Sequence, residues 1–171
     1  MSNDANDTDA LLRRAAGGDS AALADLFSCY RRRLRQMVRL RLDRRLQGRV
    51  DPSDVLQEAY SAKKAVELAP KEGNFWYTLG VAHYRAEDWP TAIETLHQSM
   101  ELRPDGDAFD YFFLAMAHWQ LGNLTEAGVW HRRALAWLEK NRDYLKRDVE
   151  HAEELRRFGA EAAVLLGIET K

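Results

Sequence analysis

The chain has 171 residues, 46% of them hydrophobic and 30% charged, with a formal net charge of −2. That is enough for one medium domain or two small ones, and the composition is that of a soluble globular protein, not of a disordered or collagen-like chain. No apolar run approaches the roughly 18 residues of a membrane span, and Met1 to Ala10 lacks the positive charge and apolar stretch of a secretory signal.

The near-neutral total hides a seam. Residues 1–62 hold eleven Arg, no Lys, eight Asp and one Glu, whereas residues 63–171 hold six Lys, eight Arg, six Asp and twelve Glu. All five Trp and all five His lie beyond residue 75. Two segments of different origin therefore meet between Glu58 and Lys63. The single cysteine, Cys29, has no disulfide or metal partner in the sequence and reads as an ordinary buried thiol, which agrees with a reducing compartment and an expected location in the cytoplasm.

In chain order, a short helix is expected from about Thr8 to Ala16, closed by the break Gly17-Gly18-Asp19-Ser20, which also offers an N-cap. Leu23, Phe27, Tyr30, Leu34 and Met37 recur at spacings of four and three, which predicts a long amphipathic helix over 20–42. Asp43 to Val50 reads as a basic connector. Asp51-Pro52 supplies a capping carboxylate followed by proline at the first helical position. The stripe Val55, Ala59, Ala62, Val66 and Ala69 crosses the seam without losing its period, so one unbroken helix is expected from Pro52 to Ala69, ended by Pro70.

The second segment repeats itself. Leu68-Ala69-Pro70 recurs as Leu102-Arg103-Pro104, 34 residues on, and Leu79-Gly80-Val81-Ala82-His83-Tyr84 recurs as Leu114-Ala115-Met116-Ala117-His118-Trp119, 35 residues on. Such periods indicate stacked helical hairpins. The small residues Gly80, Ala92, Ala115 and Ala127 mark helix crossings, and neither hairpin can bury its apolar face alone.

Trp76, Leu79, Gly80, Tyr84, Ala92, Leu96 and Pro104, then Tyr111, Leu114, Ala115, Trp119, Ala127, Ala134 and Leu135, sit at or beside the marker positions of the tetratricopeptide repeat, which residues 62–139 resemble. A charged helix over about 143–166, through Leu155, Phe158, Ala162 and Leu165, follows in the capping position of a final segment, 140–168. The resemblance implies a concave groove lined by Tyr77, Val81, Tyr84 and Arg85 of one unit and Phe112, Met116, Trp119 and Gln120 of the next. Aromatic and Met side chains on such a face suit an apolar peptide or helix. The alternative is that the chain fills this groove itself, with its final helix or its N-terminal segment.

Residues 8–60 have a different relative. Arg39-Leu40-Arg41-Leu42-Asp43-Arg44-Arg45-Leu46 and Asp51-Pro52-Ser53-Asp54-Val55-Leu56-Gln57-Glu58-Ala59-Tyr60 resemble the first part of region 2 of bacterial sigma factors of the compact extracytoplasmic-function type. The resemblance implies that Asp54, Gln57 and Glu58 lie on a helix that docks on core RNA polymerase. The family's promoter-melting stretch and its C-terminal helix-turn-helix do not follow here; the repeats follow instead. The plainer reading of the three residues is helix-start chemistry, in which acids favour the N-terminal dipole.

Nine Arg between Tyr30 and Val50 face one Asp. Arg35, Arg39, Arg41, Arg44 and Arg45 are candidates for weak, non-specific nucleic-acid contact through phosphate neutralisation, or they form a solvated helix face with local salt bridges. His83 and His118 occupy equivalent repeat positions with no second ligand at metal spacing, and are expected to be structural. No phosphate loop, nucleophile elbow or paired acid and base is present. The expectation is an all-α protein without a cofactor, metal site or membrane segment: sigma-like helices running into a tetratricopeptide-like solenoid. Its expected function is binding rather than catalysis. The candidates are a transcription-associated adaptor that contacts polymerase and a second protein, a sigma factor acting in initiation, and a plain repeat scaffold with a fusion-remnant N-terminus.

Overall fold

The computed structural model describes residues 3–17, 19, 21, 22, 25, 52–103 and 106–168. Among them the protein is all-helical, without a strand. The helices are α1 (Asn3–Ala16), α2 (Pro52–Leu68), α3 (Gly73–Arg85), α4 (Trp89–Leu102), α5 (Ala108–Gln120), α6 (Leu124–Lys140), α7 (Arg142–Arg147) and α8 (Val149–Leu166). None is long and apolar enough to cross a membrane. α1 begins earlier than the expected Thr8. Beyond Asp25, the helix expected over 20–42 and the connector 43–50 lie outside the described residues, as does Cys29.

Local chemistry explains most boundaries. The Asp19 carboxylate accepts from the backbone N–H groups of Ala21 and Ala22 at 3.0 and 3.1 Å and pairs with Arg14 at 2.7 Å, so the break after α1 both stops one helix and starts the next. Asp88 accepts from the Thr91 N–H ahead of α4, which has Pro90 in its first turn. Asp107 and Asp110 form a reciprocal capping box at the start of α5. The helix expected over 143–166 is two helices, because Asp148 leaves helical geometry and its side chain caps α8 through the His151 N–H at 3.0 Å.

α3 packs along α4, and α5 along α6, as two helical hairpins with matching turns. In the first turn His83 reaches Asp88 at 3.3 Å, and in the second His118 reaches Asn123 at 3.4 Å, each five residues on, as structural histidines would. Both turns need a left-handed residue. The second has Gly122 at φ 78°, but the first has Glu87 at φ 64°, where a Cβ is strained. Glu87→Gly is therefore expected to raise unfolding free energy by about 1 kcal/mol in denaturant titrations, and Gly122→Ala to lower it by a similar amount.

Inside the first hairpin, a Cβ at Gly80 would lie 2.7 Å from the Leu96 side chain, which is why this crossing carries glycine. The hairpins join through α4 and α5. There the fully buried Asp110 carboxylate accepts from the Ser99 hydroxyl at 3.1 Å, from the Asp107 N–H at 3.1 Å and from Arg103 Nη2. Arg103 Nη1 also donates to Asp107 at 3.0 Å and to Asn74 Oδ1 of α3 at 3.2 Å. Three helices and one loop thus share one polar knot. Asp110→Ala would leave the buried Ser99 hydroxyl and the Asp107 N–H short of an acceptor and Arg103 Nη2 with Ser99 Oγ alone, at 2.9 Å, at an expected cost of about 3–5 kcal/mol in the same assay.

α2 crosses the compositional seam without a break, ending at Leu68 with Ala69 still donating to Ala65. Its Ala62, Ala65 and Val66 are buried with Ala15, Ala22, Phe75 and Leu79, so α1, α2 and α3 share one core. Ala62 is wholly enclosed. Ala62→Trp should overpack this contact and cost about 1–3 kcal/mol, read as a lowered denaturation midpoint; an exposed linker would tolerate it within about 0.5 kcal/mol.

Candidate partner-binding site

Gln57 and Glu58 of the sigma-like element do not share one surface. Asp54 lies in the first turn of α2, with its side chain outside the described set. Gln57 is exposed, whereas Glu58 is only 8% exposed. Neighbours on a helix point about 100° apart, so a partner reaching Gln57 does not reach Glu58 as well. Arg35, Arg39, Arg41, Arg44 and Arg45 lie outside the described residues.

The groove residues require a correction. Val81, Tyr84, Arg85, Phe112 and Met116 are buried, Tyr77 and Trp119 are half-buried, and of the eight only Gln120 is fully exposed. An open aromatic face is absent because α8 folds back onto α5. Phe158 packs against Phe113 and Phe109 with ring centroids 4.9 and 5.6 Å apart, and Leu155 and Ala162 are enclosed beside it. At Gly159 a Cβ would meet the Phe112 ring at 3.1 Å, so the two helices approach as closely as glycine allows. Tyr84 and Phe113 meet edge to face at 5.4 Å, completing the aromatic layer. The chain's own final helix occupies much of the face that the sequence assigns to a partner.

What remains is a cleft of about 310 Å³ between α3 and α8. Tyr77, Phe109 and Phe158 form its apolar walls; Asn74, Arg103 and Asp107 line one lip, and Tyr144, Asp148, His151 and Glu154 the other. The Arg103 guanidinium lies 5.5 Å above the Tyr77 ring. Across the cleft, Asp148 also accepts from the Tyr144 hydroxyl at 3.3 Å, tying α7 to the start of α8, and the His151 ring stands edge-on to Phe109 at 5.0 Å. Burial, then the carboxylates of Asp107, Glu154 and Asp110, hold the Tyr77 hydroxyl well above its usual range, with Arg103 pulling weakly the other way. Burial and then Asp107 push the Asp110 carboxyl up to about 7, against Arg103, the Asp107 amide and Ser99.

Of the eight groove residues named from sequence, Tyr77 alone lines this cleft. The other lining residues come from α3, the α4–α5 loop, the first turn of α5, α7 and α8. Neither Asp107 nor Asp148 is singled out in the sequence; their capping roles emerge with the helix starts, and nothing local says that these helices converge. Among the described residues, no group of three or more His, Cys, Asp or Glu is placed to hold a metal ion. The chain matches no protein-family model and no curated protein.

If α8 covers the aromatic face of α5 by its fit to Phe112, a branched side chain at its closest point should loosen it. Gly159→Leu is expected to cost about 1–3 kcal/mol and to increase binding of a hydrophobic dye before global unfolding, because Phe109, Phe112 and Phe113 become uncovered. An unchanged midpoint and no added dye signal would show that α8 does not seal this face.

Proposed function

We propose that the protein is a non-catalytic binding adaptor associated with transcription, whose sigma-like N-terminal helices contact core RNA polymerase while its tetratricopeptide-like hairpins hold a second protein or peptide. The observation that carries this reading is the continuity of α2. The sequence element resembling the polymerase-docking motif begins a helix whose later turns are part of the core shared with α1 and α3. The sigma-like element is thereby packed against the first hairpin through α3 rather than tethered to it by a loose linker, which is what an adaptor needs.

The burial pattern sharpens the test. Gln57 is exposed and Glu58 is not, so Gln57→Ala probes contact, whereas Glu58→Ala would also disturb packing. Gln57→Ala should leave helicity and the unfolding midpoint unchanged and weaken binding to purified core RNA polymerase by about 1–3 kcal/mol. Equal binding of wild type and variant removes polymerase from the proposal.

A second reading, a plain helical scaffold whose sigma-like piece serves as a terminal cap, draws support from the buried Glu58 and from the apolar contacts of Ala15 and Ala22 with α2 and α3. Repeat arrays need their terminal faces covered. Absence of polymerase binding by the intact chain would favour this reading.

A further inference from the structure

We propose that the Asp110 carboxyl is a proton-binding site, that its proton sits on Oδ1 against the Ser99 hydroxyl, and that the join between the two hairpins is therefore stronger at mildly acidic than at mildly alkaline pH. This goes beyond the adaptor reading and does not depend on it.

The two oxygens of this carboxyl are not equivalent. Oδ2 accepts from Arg103 Nη2 and from the Asp107 N–H at 3.1 Å, and neither group is able to accept a hydrogen bond in return. Oδ1 faces the Ser99 hydroxyl at 3.1 Å, a group that donates or accepts according to where its one hydrogen points. A proton on Oδ2 would meet two donors head-on. A proton on Oδ1 points at the Ser99 oxygen, and the serine then turns its own hydrogen to the backbone carbonyl four residues back in α4, that of Thr95. Ser99 Oγ meanwhile keeps its donor from Arg103 Nη2 at 2.9 Å. Both oxygens of Asp110 and the Ser99 hydroxyl thus keep partners in either protonation state. They need to, because both side chains are wholly enclosed and water does not reach them.

The surroundings favour holding that proton near neutrality. Asp107 and Asp110 both pair with Arg103, so two acids draw on one guanidinium. Enclosure penalises the charged form further, and with Asp107 it outweighs Arg103, the Asp107 amide and Ser99, which places the carboxyl at about 7. Among the described residues, the packed elements bring their other titratable and charged groups at one remove. From α3 comes Tyr77, beneath the Arg103 guanidinium, and from α8 come Glu154, whose charge bears on Tyr77, and His151, edge-on to Phe109. From α6 comes Arg133 over Trp130, whose ring packs on Tyr111, and from α4 His97, edge-on to the same Trp130. The direction of the effect follows from the reference value of 3.8 for an aspartate carboxyl. Between that value and about 7 the folded chain holds the proton and the unfolded chain does not, so the contribution to stability is complete in acid and is lost as the pH rises through neutrality.

The test titrates the intact chain, isotope-labelled at its aspartate carboxyl carbons, by NMR. The Asp110 carbon should shift with a midpoint within about one unit of 7, and the Asp107 amide proton, bonded to Oδ2, should move with it. Asp107→Asn keeps a capping side chain but removes the competing charge, so it should lower that midpoint. Asp110→Asn supplies the reference for stability, because its amide nitrogen at the Oδ1 position donates to Ser99 as the protonated acid would. Relative to this variant, the unfolding constant of the wild type should rise about five- to tenfold from about pH 5 to about pH 6, and the two profiles should run parallel above about pH 8. An Asp110 midpoint below about 6, or one that stays put in Asp107→Asn, would overturn the proposal. Parallel profiles of wild type and Asp110→Asn between about pH 5 and about pH 7 would do the same. If Asp110→Asn does not fold, the carboxyl titration of the wild type decides the matter by itself.

Discussion

The angle between the two hairpins is held by one buried carboxylate. Asp110 is wholly enclosed, and its partners come from α4 (Ser99), from the turn after it (Arg103) and from the α5 N-cap (Asp107). Apolar packing alone lets helices slide by fractions of a turn, whereas a carboxylate with three directed donors has essentially one acceptable geometry. Arg103 extends the knot to Asn74 of α3. Because the same guanidinium lies over Tyr77, the interaction that sets the hairpin angle also shapes one lip of the cleft.

With that angle fixed, α5 presents Phe109, Phe112 and Phe113, and α8 is the element that covers them. Asp148 decides where α8 begins. By breaking the helix after Arg147 and capping the next, it turns the chain so that Phe158 and Gly159 face α5. A single straight helix following Lys140 would have no such turn. The acid that redirects the chain then lines the cleft created by the redirection, so fold and site share one residue.

Much of the local structure was legible in the sequence because it rests on local chemistry: the Asp19 cap, the helix that crosses the compositional seam and stops before Pro70, the two hairpins announced by their repeat, and the histidines at equivalent turns. The final helix was read as continuous because Leu155, Phe158, Ala162 and Leu165 keep helical spacing, and periodicity does not register a one-residue break. The two readings of the groove, a partner or the chain's own final helix, are inseparable in sequence for a different reason. A row of aromatic residues at helical spacing has the same pattern whether a partner or the chain's own last helix covers it. Likewise, Asp107 and Asp148 cap helices in the structure, and only tertiary packing brings them to one cleft.

The self-covered face constrains what the protein can bind. To open the whole aromatic face of α5, a ligand must displace α8, exposing Leu155 and Phe158, both fully buried, together with the rings beneath them. At about 1.5–3 kcal/mol for each large side chain uncovered, that displacement costs on the order of 5 kcal/mol, or nearly four decades of affinity. A helix or long apolar peptide has to recover all of this before it gains anything, by replacing the contacts α8 already makes. A ligand that leaves α8 seated avoids this cost, so the self-covered face weighs against any guest that needs the whole aromatic surface of α5 opened.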